Sequence, residues 1–399
     1  MSQLKRSEPS SDSSEGGTAV RKRPRLTPVA RLNLGVLACV LLMWAGMDVQ
    51  PAQPGPATPL EPIAAILDAF RSHSVVALGE GSHGNEQGHA FRLRLIRDRR
   101  FAAVVNDIVV EFGSARYQEV MDRFTRGEAV ADEALRQAWR NTTVANPGWD
   151  RPIYEEFFRT VQAVNAALPR ARRLRVLLGD PPIDWESVHT AQDLLKWGID
   201  RDRFAADLIR REVLARNRRA LVIYGDMHFQ RRDVMANFEE LPGDDLLLPI
   251  LEREAHTSVF SVWTNTTVDV RPVDGGAATW PVPTLIPLRG STLGAADFTF
   301  FYPAKIPRFR LKAGISRMTS PADTTLVPPA EWRSFAMERN FDALLYLGHP
   351  STITISQLSP TVCSDRTYLD QRLHRMALGG SSQGEIDRLK THCTSVTTR

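Results

Sequence analysis

A chain of 399 residues with 43% hydrophobic content is long enough to bury a large core and too apolar to be a disordered protein. Its formal charge of +4 comes from residues 1–31, where seven basic residues stand against three acidic ones; the rest of the chain holds 43 of each sign. A neutral body gives no support to nucleic-acid binding, which rests on a concentrated basic face.

Targeting signals come first along the chain. Residues 1–31 are rich in Ser, Gly and Arg and read as a disordered, basic cytoplasmic tail. The run Arg21-Lys22-Arg23-Pro24-Arg25 precedes an apolar segment at 32–47, interrupted only by Asn33. A basic flank followed by an apolar segment suits a signal peptide or signal anchor. The expectation is therefore a periplasmic or extracellular protein, secreted or anchored in the membrane. The segment has 16 residues, fewer than the roughly 20 that span a bilayer comfortably, so cleavage and anchoring both stay open. A Pro-rich stretch at 48–59 then reads as a stiff linker.

The folded region is expected over 60–362. Leu60, Ile63, Ile66, Leu67 and Phe70 recur at helical spacing and predict a lead-in helix. Short apolar runs near 74–78, 106–110, 174–178, 220–224, 258–263 and 342–347 predict strands. Between them, helical patterns lie near 87–99, 114–125, 130–140, 152–167, 186–196 and 202–216. Alternation of this kind implies parallel βαβ units, hence a three-layer α/β/α fold with a mainly parallel central sheet. Residues 264–330, rich in Pro, Gly and Thr, break the rhythm and read as an irregular insertion with short β-like pieces such as 298–302. Cys363 and Cys393 fall in the tail, 363–399. As an even pair they suit a disulfide in an oxidising compartment.

The polar residues at the strand ends carry the functional signal. Residues 74–78 run into Gly79-Glu80-Gly81-Ser82-His83-Gly84, 108–110 into Glu111, 174–178 into Gly179-Asp180, and 221–224 into Gly225-Asp226-Met227-His228. In a parallel sheet, ligands bind beyond the carboxyl ends of the strands, so these acids and histidines are expected in one site. The first motif also satisfies G-x-G-x-x-G, with Glu111 where a ribose-binding acid would stand. Glu80 argues against a dinucleotide, because a carboxylate in that turn would repel a pyrophosphate.

The same residues resemble the erythromycin esterase-like family, in the superfamily that also holds the ChaN haem-uptake and TIKI/TraB proteins. The resemblance lies in Leu78-Gly79-Glu80-Gly81-Ser82-His83-Gly84 with the Arg-bearing helix after it, in Val110-Glu111-Phe112, and in Tyr224-Gly225-Asp226-Met227-His228. This chain has Asp226 and His228 where the esterases commonly carry a histidine pair. The resemblance implies an α/β domain with a strand-end site, and either hydrolysis of an ester or haem binding.

On the residues alone, His83 on a tight turn suits a general base that activates water, with Glu80 or Glu111 orienting it. His228 suits stabilisation of the developing oxyanion. Ser82 lacks the G-x-S-x-G context of a serine nucleophile. The catalytic candidates are therefore His83, Glu80, Glu111 and His228, acting on a small-molecule substrate without a cofactor. Asp180, Asp184, Asp226 and Arg92 are the candidate substrate-binding residues. A divalent metal on His83, Glu111 and His228, or haem on the same histidines, is the alternative. Arg92 and Arg94 are expected on an exposed helix face, His89 in solvent, His349 in a structural role after the last strand with the site rim as the alternative, and Trp139, Trp149 and Trp185 in packing roles.

Overall fold

The computed structural model describes residues 53–231, 246–296, 309–312, 315–318 and 336–397. The expected tail, the apolar segment and residues 48–52 of the linker therefore lie outside the described residues, as does the β-like piece at 298–302. Among the described residues, no helix is long and apolar enough to cross a membrane.

The seven-stranded sheet contains β1 (Val75–Gly79), β2 (Asp107–Ser114), β3 (Arg175–Asp180), β4 (Ala220–Tyr224), β5 (Val259–Asn265), β6 (Thr284–Pro287) and β7 (Ala343–Tyr346), ordered β3-β2-β4-β1-β5-β7-β6. All neighbours are parallel except β6, which runs antiparallel to β7 at the edge. The expected insertion thus contributes a sheet strand. Its sequence conceals this, because Thr-Leu-Ile-Pro is only four residues long and ends in a proline, which an edge strand tolerates.

The strands are Val-, Ile- and Leu-rich runs buried on both faces. Alternation divides them between two cores. Val76 and Leu78 pack on one side with Phe91, Phe112, Phe157 and Phe158. Val75 and Ala77 pack on the other with Ala205, Ile209, Leu247 and Trp263. The first side is covered by α1 (Pro62–Ala69), α2 (Glu86–Arg97), α3 (Gln118–Thr125), α4 (Asp132–Arg140) and α5 (Pro152–Ala166). On the second lie α6 (Arg201–Glu212) and α7 (Leu247–Glu254). This is the three-layer α/β/α fold.

At the C-terminal end, α8 (Arg366–Leu378) and α9 (Gln383–Thr397) form a small satellite core around the Cys363–Cys393 disulfide, whose Cα atoms are 4.8 Å apart. Arg372 of α8, fully buried, pairs with Asp150 at 2.9 Å and donates to the carbonyls of Val144, Ala145 and Asn146. The tail is thereby fastened to the 141–150 loop of the α/β body.

Candidate functional site

Strand order explains the convergence. β4 lies between β1 and β2, in parallel register with both, so the ends carrying Glu80, His228 and Glu111 are neighbours. The β1 turn is held by Asn85, which caps α2 by accepting from the Gly88 amide and donates at 2.7 Å to the carbonyls of both Glu80 and Ser82. Gly81 takes φ +68° there, and a side chain would lie 2.9 Å from the Thr264 carbonyl. Ser82 turns its hydroxyl to Thr266 at 3.0 Å.

The turn presents His83 to solvent, with 44% of the side chain exposed. One ring nitrogen, Nδ1, lies 2.7 Å from the Glu80 carboxylate. Glu80 itself is fully buried and is held on its other oxygen by Arg92 at 3.2 Å and by the Tyr154 hydroxyl at 3.1 Å. Burial raises the Glu80 pKa, but Arg92 and His83 outweigh it and leave a carboxylate below its ordinary value. For His83, burial opposes the charge, yet the hydrogen bond and charge of Glu80 raise the imidazole above its usual 6.5. Trp149 stacks edge-on against this ring at 4.5 Å.

His228 follows β4 in a short 3-10 turn, and both of its ring nitrogens are engaged. Nδ1 is bonded to Asp202 in the first turn of α6, and Nε2 lies 3.4 Å from Glu111. Burial lowers the His228 pKa, but the two carboxylates prevail and lift it to about 10. Glu111 is committed in turn: Arg201 donates to one oxygen at 2.9 Å and the Gly225 amide to the other at 2.8 Å. Its pKa falls well below the ordinary value despite burial, because His228 and Arg201 stand against it.

Gly225 is where the two halves meet. A Cβ on it would lie 3.3 Å from His83 Cε1, 3.6 Å from Glu111 Oε2 and 3.6 Å from His228 Cδ2. The four catalytic candidates therefore share one crevice. A side chain at Gly225 would sit against all three groups.

The substrate-binding candidates fare differently. Asp226 staples two strand ends together, each oxygen accepting from one amide, of Gly81 or of Thr264, at 2.9 Å; burial lifts its pKa to about 7. Asp180 accepts from the Thr143 amide and hydroxyl at 2.6 Å and from Arg201 at 3.1 Å, and burial raises it to about 6. Every oxygen of the two carboxylates already accepts from a protein donor. Arg92 is buried behind Glu80 rather than on an exposed face, because its charge neutralises that carboxylate. Asp184 is partly exposed and pairs with Arg116 at 3.5 Å, outside this crevice. His89 is buried and bonded to Glu156, not solvated. His349 caps a 3-10 turn through Ser351 and lies 3.5 Å from Asp269.

Asp202, Arg201, Tyr154 and Trp149 belong to the site and escape a reading by strand ends. Arg201 and Asp202 carry a faint signal, as charged residues opening the helix between β3 and β4. Tyr154 and Trp149 carry none, since aromatic residues in helical or turn segments read as core.

Glu80, His83 and Glu111 offer ligand atoms within 4.8 Å of one another, close enough to hold a metal ion. Their electrostatics fit a cation poorly, because Arg92, Arg201 and His228 already neutralise both carboxylates. Haem ligation by His228 meets a similar obstacle. An axial ligand needs a free imidazole nitrogen, and both of its nitrogens face carboxylates.

No family model matches the chain, and no curated protein matches it. Among solved structures, a protein from Bacillus cereus is similar at 13% identity and a TM-score of 0.45, covering 76% of this chain and 97% of its own. A succinoglycan biosynthesis protein has 9% identity and a TM-score of 0.49, with 76% and 96% covered. ChaN of Campylobacter jejuni, solved with cofacially bound haem, has 14% identity and a TM-score of 0.34, with 52% and 88% covered. At such identities the chemistry rests on this chain's own residues.

Proposed function

We propose that this chain is a hydrolase of the erythromycin esterase-like superfamily, exported or membrane-tethered, that cleaves an ester or amide by histidine-activated water. The observation that carries the proposal is the unequal pair of histidines over Gly225: His83 has one nitrogen held by a buried carboxylate, whereas His228 is held as a cation by two. Glu80 fixes the tautomer with the proton on Nδ1, which leaves Nε2 as the acceptor. A water at Nε2 gives up its proton as it attacks the substrate carbonyl, and the His228 cation stabilises the oxyanion that develops. The protonated His83 then donates to the leaving group. Export is supported by the Cys363–Cys393 disulfide and by the order of basic and apolar residues before residue 48.

The test is a panel of small esters and amides, run with and without a chelator on wild-type protein, His83→Ala and His228→Gln. Turnover that survives the chelator and is lost in both variants supports the proposal. Turnover that needs added divalent metal would point instead to the carboxylate cluster as a metal centre. A Soret shift with haemin that disappears in His83→Ala, with no turnover on any substrate, would favour ligand binding.

A further inference from the structure

A cavity of about 290 Å³ opens beside the segment that follows β3, and none of Glu80, His83, Glu111 or His228 lines it. Residues 183–186 and Val188 form one wall, and Gln371, His374 and Arg375 of α8 form another. Arg375 is the anomaly. It is only 7% exposed, and its guanidinium lies over the Trp185 ring at 4.5 Å. Its protein hydrogen bonds all use Nη1, to the Arg140 carbonyl at 3.1 Å and Asn141 Oδ1 at 2.8 Å. Among the described residues, Nε and Nη2 have no acceptor, and no carboxylate pairs with the group.

Arg372, one turn earlier on the same helix, shows what a satisfied buried guanidinium looks like here. It has Asp150 at 2.9 Å and acceptors for both terminal nitrogens. A buried guanidinium without a counter-charge is costly. Burial and the repulsion of Arg372 accordingly pull the pKa of Arg375 down to about 10.

We propose that this cavity binds a small monocarboxylate, gripped at two points by the free Nε and Nη2 edge of Arg375. The planar fork of a guanidinium matches the two oxygens of a carboxylate. The other charges select a monoanion: Asp184 and Glu186 line the cavity, and Arg116 is already taken by Asp184 at 3.5 Å. A dianion such as phosphate would meet both of those acids with a second negative charge. The volume sits near the lower end of small-molecule sites, which start at about 300 Å³, so the fitting ligand is the size of benzoate or an N-acylated amino acid. Binding at this cavity does not depend on hydrolysis at the crevice.

Calorimetric titration of the full chain with benzoate and N-acetylglycine, at fixed ionic strength, tests it. Benzamide and inorganic phosphate are the controls. Both carboxylates should bind at least about tenfold more tightly than either control. Arg375→Lys should abolish that binding, but Arg375 also holds the end of α4, so loss of fold could mimic loss of the site. Gln371→Glu removes the ambiguity: it places a carboxylate four residues before Arg375 on the same helix, a favourable spacing for an ion pair. Carboxylate affinity should fall at least about tenfold while the melting temperature holds or rises. Benzoate binding that is absent from wild type, unchanged in Gln371→Glu, or matched by phosphate or benzamide would overturn the proposal.

Discussion

The two halves of the crevice use the same residue types and make different chemistry from them. On the β1 side, one carboxylate orients His83 and leaves one ring edge in solvent. On the β4 side, two carboxylates enclose His228, with 20% of its side chain exposed and both nitrogens engaged. In the proposed mechanism the first arrangement makes a base with a free lone pair. The second makes a fixed cation. Roles here follow from how many partners each ring has, which is how neighbouring titratable groups are assigned as acid and base elsewhere.

The largest expected effect breaks the β1 half. His83→Ala should cost roughly 10² to 10⁴-fold in turnover, the range that general base catalysis supplies. Thermal stability should hardly move, since the ring is 44% exposed. Melting lowered by several degrees with turnover per folded molecule retained would show His83 to be a strand-end cap, and the enzyme reading would fall with it.

Arg92→Met attacks the same half from beneath. It leaves the buried Glu80 carboxylate without its counter-charge, a change that costs about 3 to 5 kcal/mol when one partner of a buried ion pair is removed. Chemical denaturation should register that loss. An unchanged midpoint would mean that Glu80 is reached by water, contrary to its burial.

How far the sequence carries this comparison depends on what each feature leaves in the primary structure. Strand ends are legible because a doubly buried parallel strand is a continuous apolar run, and the first polar residue after it stands out. Glu80, Glu111, Asp180 and His228 all stand out in that way. Their partners do not. Asp202 reaches His228 from a helix start, and Arg92 reaches Glu80 from a helix interior; each depends on tertiary packing that periodicity does not encode. Asp226 shows the converse case. Its place at a strand end marks it as a ligand group, and the structure shows each of its oxygens accepting from a backbone amide, of Gly81 or of Thr264. β6 is hidden for a third reason, being too short and too Pro-flanked to show a pattern.

Asp202→Asn sharpens the β4 half. With Asp202 gone, His228 loses the first of the two charges that hold it at about 10, and its pKa moves toward the ordinary 6.5. Activity that needs the His228 cation should then lose its alkaline limb at lower pH, while the acidic limb set by His83 stays in place. The profile narrows. Stability follows the same sign: a histidine whose folded pKa is raised contributes fully below the unfolded value of about 6.5 and loses that contribution as pH climbs toward 10. Wild type should therefore weaken between these limits more than Asp202→Asn does, as urea midpoints measured across that window would show.

The smallest effect comes from the residue that both halves share. Glu111 touches His228, and its charge also raises His83. In Glu111→Gln the amide oxygen can still accept from Gly225, and Arg201 keeps Asp180, so the fold should hold. Both histidines lose support for their protonated forms. The acidic limb should therefore move down as well as the alkaline one. The contrast with Asp202→Asn is the diagnostic, because a purely structural Glu111 would lower activity at every pH by the same factor. A profile with both limbs displaced would show that one carboxylate sets the working pH of two histidines held for different tasks.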